Sequence, residues 1–322
     1  MEPILLKPVG KDYLWGGNKL KTEYGKKIEL RPLAETWECS AHPDGPSVVS
    51  SGKYKGLTLD ALLKKHPEYI GTKKGSASGE LPILVKLIDA EKDLSVQVHP
   101  SDDYARKHEQ QNGKTEMWYV LDAEPGASLV CGFAHEVTPE LLWAAVETGT
   151  LDKHLQVIPV HKGDVFYIPA GTIHAIGAGS LIAEIQENSN VTYRVYDYNR
   201  LDKNGKKRTL HFEQAVKVLN MKPGTDVRQR PRKVNYYYGC AREVLCRCPY
   251  FETERILVSL GFGFTVLDSS FQVLLCLDGE GGITKEGMRR PLRFKKGDCI
   301  FIPAGTGRCH VLGHSELLKI RC

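Results

Sequence analysis

Short apolar segments bounded by Gly, Pro or Asp alternate with polar stretches along most of the chain. They are rich in Val, Ile, Tyr and Phe, a composition typical of β-strands. The clearest of these segments lie at residues 81–89, 116–122, 164–170, 180–186, 272–278 and 298–304. The pattern predicts a mainly β protein.

Helical signals are few, and they lie in the first two-thirds of the chain. Thr138 can cap a helix that begins with Pro139, and Gly149 can end it. We expect a second, shorter helix to follow Thr58 and to end before Pro67. A third is expected within residues 211–220.

One sequence motif of eleven residues occurs twice. Residues 162–172 read KGDVFYIPAGT and residues 296–306 read KGDCIFIPAGT, with eight of eleven positions identical. Each copy sets a strand between a Gly-Asp turn and a Pro-Ala-Gly turn, which resembles the second conserved motif of cupins, the double-Greek-key barrels. The strands before the two copies also align, so that Glu116 corresponds to Gln272. Two related barrels explain this repeat, and coincidental similarity of turns is the alternative.

The repeat also suggests where the chain divides. A polar, basic and turn-rich segment follows residue 221 and has the composition of a linker. We therefore predict an amino-terminal domain at 1–235 with helical insertions and a carboxy-terminal domain at 236–322. The expected fold is two cupin-type (double Greek-key or jelly-roll) barrels.

Composition narrows the class of protein. The 322 residues are 41% hydrophobic and 26% charged, as in water-soluble globular proteins, and the amino terminus does not resemble a signal peptide. Nine cysteines without a Cys-x-x-Cys pair favour reduced thiols and a cytoplasmic location. The net charge of +5 is too mild to indicate nucleic acid. We expect a small-molecule substrate, and neither a membrane nor an obligate protein partner.

A possible metal site lies in the first barrel. Gln97 and His99 are two residues apart, which puts both side chains on one face of a strand. Glu116 opens the next strand, and His174 follows the first Pro-Ala-Gly turn. Two imidazoles and a carboxylate suit one Zn²⁺ ion per chain, with the amide oxygen of Gln97 as a weaker fourth ligand.

The second barrel serves as an internal control. A histidine after Pro-Ala-Gly could merely bond to the backbone of its turn. The second copy, however, keeps the turns while Gln272 replaces Glu116 and Arg308 replaces His174. Residues required only by the barrel should persist in both copies, so the difference favours a metal site in the first barrel and none in the second.

Charged residues lie near the predicted ligands. Lys114 precedes Glu116 by two positions, and Glu184 and Arg194 lie on the strands after His174. If these residues face the barrel interior, they join the metal in one cavity, where charges are costly without partners or a charged substrate. The alternative is that Glu184 and Arg194 simply pair with each other.

Several blocks in order along nearly the whole chain resemble the short bacterial form of type I mannose-6-phosphate isomerase. They are Trp15 to Leu20, WECSAHPDGPS (37–47), VQVHPSD (96–102), GKTEMWYVL (113–121), IPAGTIHAI (168–176), EIQENSNVTYRVYD (184–197) and RTLHFEQAVKVL (208–219). The resemblance implies a zinc-dependent interconversion of D-mannose 6-phosphate and D-fructose 6-phosphate through an enediolate. It implies metal ligands at Gln97, His99, Glu116 and His174, and active-site residues at Lys114, Glu184 and Arg194.

Roles for these residues follow from the chemistry of proton transfer next to a carbonyl. Glu184, with a pKa raised by burial, is our candidate for the base, and Lys114 is the second candidate or polarises a substrate oxygen. Arg194 can stabilise enediolate oxygens or hold the phosphate. The basic loop from Lys203 to Arg208 can help to attract the phosphate. Two alternatives remain: another metal-dependent cupin enzyme, and a sugar-binding or regulatory cupin without catalysis.

Overall fold

The computed structural model describes residues 1–72, 80–202, 205–225, 227–229 and 233–322. The strands are β1 (Ile4–Lys7), β2 (Val9–Lys11), β3 (Glu35–Cys39), β4 (Val48–Val49), β5 (Ile83–Ala90), β6 (Val96–Val98), β7 (Glu116–Ala123), β8 (Ser128–Phe133), β9 (Leu155–Pro159), β10 (Val165–Ile168), β11 (His174–Ile176), β12 (Ser180–Glu187), β13 (Tyr193–Tyr196), β14 (Asn235–Tyr237), β15 (Cys240–Arg247), β16 (Glu252–Val258), β17 (Gly261–Val266), β18 (Gln272–Lys285), β19 (Leu292–Lys295), β20 (Cys299–Ile302) and β21 (Gly307–Arg321). The α-helices are α1 (Lys19–Thr22), α2 (Leu59–Lys65), α3 (Asp102–His108), α4 (Pro139–Thr148) and α5 (Phe212–Val218). Short 3₁₀ turns cover Gly52–Tyr54, Pro67–Tyr69 and Leu151–His154.

The strands form three antiparallel sheets. A six-stranded sheet has the order β10-β7-β12-β5-β3-β2, and a five-stranded sheet has the order β13-β6-β11-β8-β9. The third sheet runs β14-β15-β16-β21-β18-β20-β1-β4, with β17 paired to β21 and β19 to β18. The mainly β fold predicted from the sequence is confirmed.

The predicted elements are present near their expected positions. All six apolar segments form strands, and the three expected helices are α2, α4 and α5. The side chain of Thr138 accepts a hydrogen bond from the amide of Leu141, and Gly149 ends α4 in the left-handed conformation. Helices α1 and α3 were not predicted, although α3 has acidic residues in its first turn and basic ones in its last.

The first barrel consists of the six-stranded and five-stranded sheets packed face to face. Its core combines Ile88, Trp118 and Ile182 of one sheet with Leu129 and Ile176 of the other. Burial of these large side chains holds the two sheets together. The polar side chains described below share this interior, so they are held by a packed and rigid scaffold.

The second barrel repeats the geometry of the first. Glu116 lies opposite Ile168 and Gln186, and Gln272 lies opposite Ile302 and Arg321. The turn glycines of both copies adopt positive φ angles, as at Gly171 (φ 86°) and Gly305 (φ 73°). The duplicated motif therefore corresponds to a duplicated local structure.

The amino-terminal strand β1 lies in the sheet of the second barrel. It pairs antiparallel with β20, with Leu6 opposite Cys299, and it also pairs with β4. Residues 4–7 and 48–49 thus precede the predicted boundary at 235 along the chain but join the carboxy-terminal sheet in space.

No helix among the described residues has the length and apolar composition that a membrane crossing requires.

Candidate metal centre and active-site cavity

Two neighbouring strands and one strand of the facing sheet bring the predicted ligands together. His174 on β11 lies directly opposite Gln97 on β6, and His99 follows β6 by one residue. Glu116 begins β7 in the facing sheet. His99, Glu116 and His174 are all buried, and each contributes one potential ligand atom to a group that spans no more than 4.8 Å.

The distances in this cluster are short. Nε2 of His99 lies 3.6 Å from Oε2 of Glu116, and Nε2 of His174 lies 3.4 Å from Oε1 of the same carboxylate. The two imidazole rings have centroids 4.7 Å apart. Both Nε2 atoms therefore face one carboxylate across a common space.

The backbone fixes the tautomer of each imidazole. Nδ1 of His99 lies 2.8 Å from the carbonyl of Val191, and Nδ1 of His174 lies 2.9 Å from the carbonyl of Thr172. A carbonyl only accepts, so both Nδ1 atoms carry hydrogen and both Nε2 atoms present lone pairs to the cluster. Burial, reinforced by the nearby charge of Lys114, lowers the pKa of His174 to about 4 and that of His99 well below its usual value. Both rings are neutral at pH 7.

The cluster fits a divalent cation. Oε1 of Glu116 is buried and has no hydrogen-bond donor among the described residues. The ammonium group of Lys114 contacts Oε2 of Glu116 and lies 3.0 Å from Nε2 of His99, so a positive charge already sits against the donor set. Two neutral imidazoles and a carboxylate are a common ligand set for Zn²⁺.

Gln97 lies at the edge of this cluster. Its Nε2 is 3.4 Å from Nε2 of His174, and its Oε1 is 3.4 Å from Oγ of Ser95. Rotation of the amide by half a turn exchanges its oxygen and nitrogen without moving the rest of the side chain. Gln97 is therefore placed where its oxygen can approach the cation.

A cavity of about 240 Å³ opens beside the cluster. Its lining includes Gln97, Lys114, Trp118, Glu184 and Arg194. The sequence-predicted residues of the active site are therefore brought to one place.

Lys86 also lines this cavity, and sequence reasoning missed it. Glu184 on β12 lies opposite both Lys86 on β5 and Trp118 on β7. Nζ of Lys86 lies 3.0 Å from Oε1 of Glu184, and Nε1 of Trp118 donates to Oε2 at 3.0 Å. Burial opposes the charge of Lys86, but Glu184 and Glu35 outweigh it and raise its pKa. The available signal was a lysine flanked by apolar residues on both sides, at 83–85 and 87–88.

The expectation that burial raises the pKa of Glu184 is wrong. Burial does act in that direction, but the ammonium groups of Lys114 and Lys86 outweigh it and lower the pKa to about 2. Lys114 lies 3.9 Å from the carboxylate, and Lys86 lies closer. Glu184 is ionised at pH 7 and is a weak base.

The alternative that Arg194 simply pairs with Glu184 is wrong, because no hydrogen bond or ion pair joins these two side chains among the described residues. Nε of Arg194 lies 3.3 Å from Oγ of Ser95, and its Nη1 donates to the carbonyl of Thr209 at 2.9 Å. These contacts hold the guanidinium group in the wall of the cavity. Lys203, at the start of the predicted basic loop, lies outside the described residues, whereas Arg208 lines the cavity.

Comparison of the sequence with family models and with known proteins identifies the family to which the chain belongs. The model of the type I phosphomannose isomerase catalytic domain matches residues 4–133, and that of the mannose-6-phosphate isomerase cupin domain matches residues 243–322. The mannose-6-phosphate isomerase ManA of Bacillus subtilis (strain 168) is 37% identical over 322 residues, 98% of each chain. The chain belongs to the type I mannose-6-phosphate isomerase family.

Other proteins of this family are similar to the chain in sequence and in structure. The mannose-6-phosphate isomerase of Streptococcus mutans is 41% identical and aligns with 94% of this chain and 92% of its own length. The crystal structure of the mannose 6-phosphate isomerase from Bacillus subtilis superposes with a TM-score of 0.90 at 34% identity, covering 99% of both chains. The predicted cupin fold and family membership are thus confirmed.

Proposed function

We propose that the chain interconverts D-mannose 6-phosphate and D-fructose 6-phosphate. The observation that carries this proposal is a buried His-Glu-His cluster beside a cavity lined by charged side chains, in a chain of this family. Lys86, Lys114, Glu116 and Glu184 are each at most 4% exposed. Four buried ionisable side chains cost stability, and such groups concentrate at functional sites.

We assign the metal ligands to His99, Glu116 and His174, with Gln97 as the fourth, and the metal to zinc. When bound, a divalent cation supplies Lewis acidity that stabilises negative charge on sugar oxygens. The protein's own part is to hold two neutral imidazoles with their Nε2 atoms aimed at one carboxylate. The backbone carbonyls of Val191 and Thr172 perform this orientation.

The other charged residues stabilise the enediolate and hold the sugar. Lys86 and Lys114 present ammonium groups, and Arg194 presents a guanidinium group, where charge develops on the two oxygens. Glu184 holds both ammonium groups, and its low pKa suits this electrostatic role better than that of the general base. Trp118 helps to fix the carboxylate of Glu184 by donating a hydrogen bond from its indole nitrogen.

One coupled assay separates this function from its alternatives. Purified protein is mixed with mannose 6-phosphate, and fructose 6-phosphate is detected with and without a chelator. The proposal expects turnover that the chelator abolishes and zinc restores. Oxygen consumption would indicate a dioxygenase, and binding without turnover would indicate a regulatory cupin.

The remaining assignments complete the proposal. We assign catalysis to the domain at residues 1–235 and a supporting role to the domain at 236–322. Gln272 and Arg308 support this division, because they stand where the first barrel has Glu116 and His174. We also propose that the protein acts in the cytoplasm on a small sugar phosphate.

A further inference from the structure

A single buried carboxylate holds two arginines at the edge of the cavity. Nε and Nη2 of Arg208 donate to Oδ2 and Oδ1 of Asp197 at 2.7 and 2.5 Å, which is a bidentate pair. Nη2 of Arg200 donates to Oδ1 of the same carboxylate at 2.6 Å. Asp197 is only 5% exposed, so the carboxylate is largely shielded from water. The geometry of both guanidinium groups is therefore strongly restrained.

Arg200 acts as a support for this arrangement. Its Nη1 donates to the carbonyl of Asp93 at 2.5 Å, and its guanidinium lies over the ring of Tyr198 at 5.0 Å. Tyr198 and Asn199 have φ angles of 55° and 54°, a tight left-handed bend that returns Arg200 toward Asp197. Arg200 is thus turned toward the protein.

Arg208 is turned toward the cavity. The pair with Asp197 uses one edge of its guanidinium, and its Nη1 makes no hydrogen bond among the described residues. Arg208 lines the cavity together with Arg194 and Tyr13. Arg194 donates to the carbonyl of Thr209, the residue after Arg208, so one short segment ties both guanidinium groups together.

The charges of this group do not cancel. Arg194, Arg200 and Arg208 carry three positive charges, and Asp197 supplies one negative charge. Burial, with Arg208 as the next contribution, lowers the pKa of Arg194, which indicates that the cations act on each other. A phosphate monoester carries about two negative charges at pH 7 and would neutralise the remainder.

We infer that Arg208, oriented by Asp197 and supported by Arg200, forms the subsite for the phosphate group of the substrate. Asp197 is a positioning residue, since it acts through Arg208. This inference rests on the proposed function for the identity of the substrate. The charge and geometry of the arginines indicate the class of ligand, which is a phosphate group. The edge of the Arg208 guanidinium that does not contact Asp197 would bind the phosphate. The phosphate lies at the opposite end of the sugar from the carbons that react.

The test compares Arg208→Ala and Asp197→Asn with the unaltered chain on mannose 6-phosphate and on unphosphorylated D-mannose. We expect KM for mannose 6-phosphate to rise by about 30-fold or more in both variants, the effect of losing a charge-assisted contact. We expect kcat for mannose 6-phosphate to change little, and any rate on D-mannose, which has no phosphate group, to change equally little. Arg208→Lys should recover part of the loss. Calorimetric titration with inorganic phosphate should show weaker binding in both variants.

Arg247→Ala is the matched control, because Arg247 pairs with Glu252 in the second barrel; it should leave every constant unchanged. A normal KM in Arg208→Ala, or an equal loss on both substrates, would overturn the subsite. A normal KM in Asp197→Asn alone would overturn the positioning role. If Asp197→Asn does not fold, Arg208→Ala and Arg208→Lys decide the subsite and Asp197→Glu decides the positioning role. If the unaltered chain isomerises nothing, the proposed function fails, while phosphate titration still decides the subsite.

Discussion

The ammonium group of Lys114 lies 3.0 Å from Nε2 of His99, one of the atoms that we assign to the metal. The same ammonium contacts the carboxylate of Glu116. A divalent cation and an ammonium group repel each other at such distances. Metal binding must therefore displace Lys114 from the cluster, and the cavity beside it offers the released side chain contact with Glu184 and, under the proposed function, with substrate.

Replacement of Lys114 should separate metal binding from turnover. We expect Lys114→Met to keep its zinc, because the competing positive charge is gone, and to lose about 100-fold or more in kcat, because a donor to the substrate oxygens is missing. Metal content and kcat are measured on the same sample. Lys64→Met, at a lysine whose side chain is 80% exposed, is the control. Loss of the metal from Lys114→Met would contradict this account of the lysine.

Removal of the imidazole of His99 or of His174 should abolish both metal binding and turnover. We expect His99→Ala and His174→Ala to bind zinc at least about 100-fold more weakly and to show no turnover above background, since each variant leaves only one imidazole and one carboxylate beside the weaker amide oxygen of Gln97. Arg308→Ala, at the matching position of the second barrel, should retain full activity. Emission spectrometry and the coupled assay provide the two readouts. Normal zinc content in His174→Ala would remove that residue from the ligand set.

Metal affinity should depend on pH through Glu116. Burial, and next the charge of Glu184, raise the pKa of Glu116 to about 7. The carboxylate must be ionised to bind a cation, so affinity should be constant above that pH and fall by about tenfold for each pH unit below it. His174, with a pKa of about 4, adds its own loss only in more acidic solution. Competition with a chromophoric chelator measures the curve, and an affinity that does not change from pH 8 to pH 5 would speak against it.

Arg194 should matter for turnover and not for the metal. Its guanidinium is held by Ser95 and Thr209 and has no contact with His99, Glu116 or His174 among the described residues. We expect Arg194→Ala to keep its zinc and lose about 100-fold or more in kcat, because charge on the enediolate loses a donor. The comparison is kcat at saturating mannose 6-phosphate with zinc content verified. Normal turnover would exclude Arg194 from the mechanism.

The clustering of His99, Glu116 and His174 could be predicted from the sequence because the second barrel is a natural control. His174 and Arg308 occupy equivalent turns, so the difference between them indicates function and not fold. Lys86 was missed because it has no motif and its partner Glu184 is distant along the chain. The low pKa of Glu184 depends on two lysines that only the sheet brings together. Likewise, the pairing of β1 with β20 joins opposite ends of the chain, and no local pattern encodes it.

The most direct test of the metal centre is a crystal structure of the zinc-loaded protein with diffraction recorded on both sides of the zinc absorption edge. We predict one anomalous peak per chain in the first barrel, within about 2.0–2.2 Å of Nε2 of His99, Nε2 of His174 and a carboxylate oxygen of Glu116. Lys114 should be turned away from that peak. An active, zinc-containing protein with its peak elsewhere, or with these three side chains free of metal, would contradict the account.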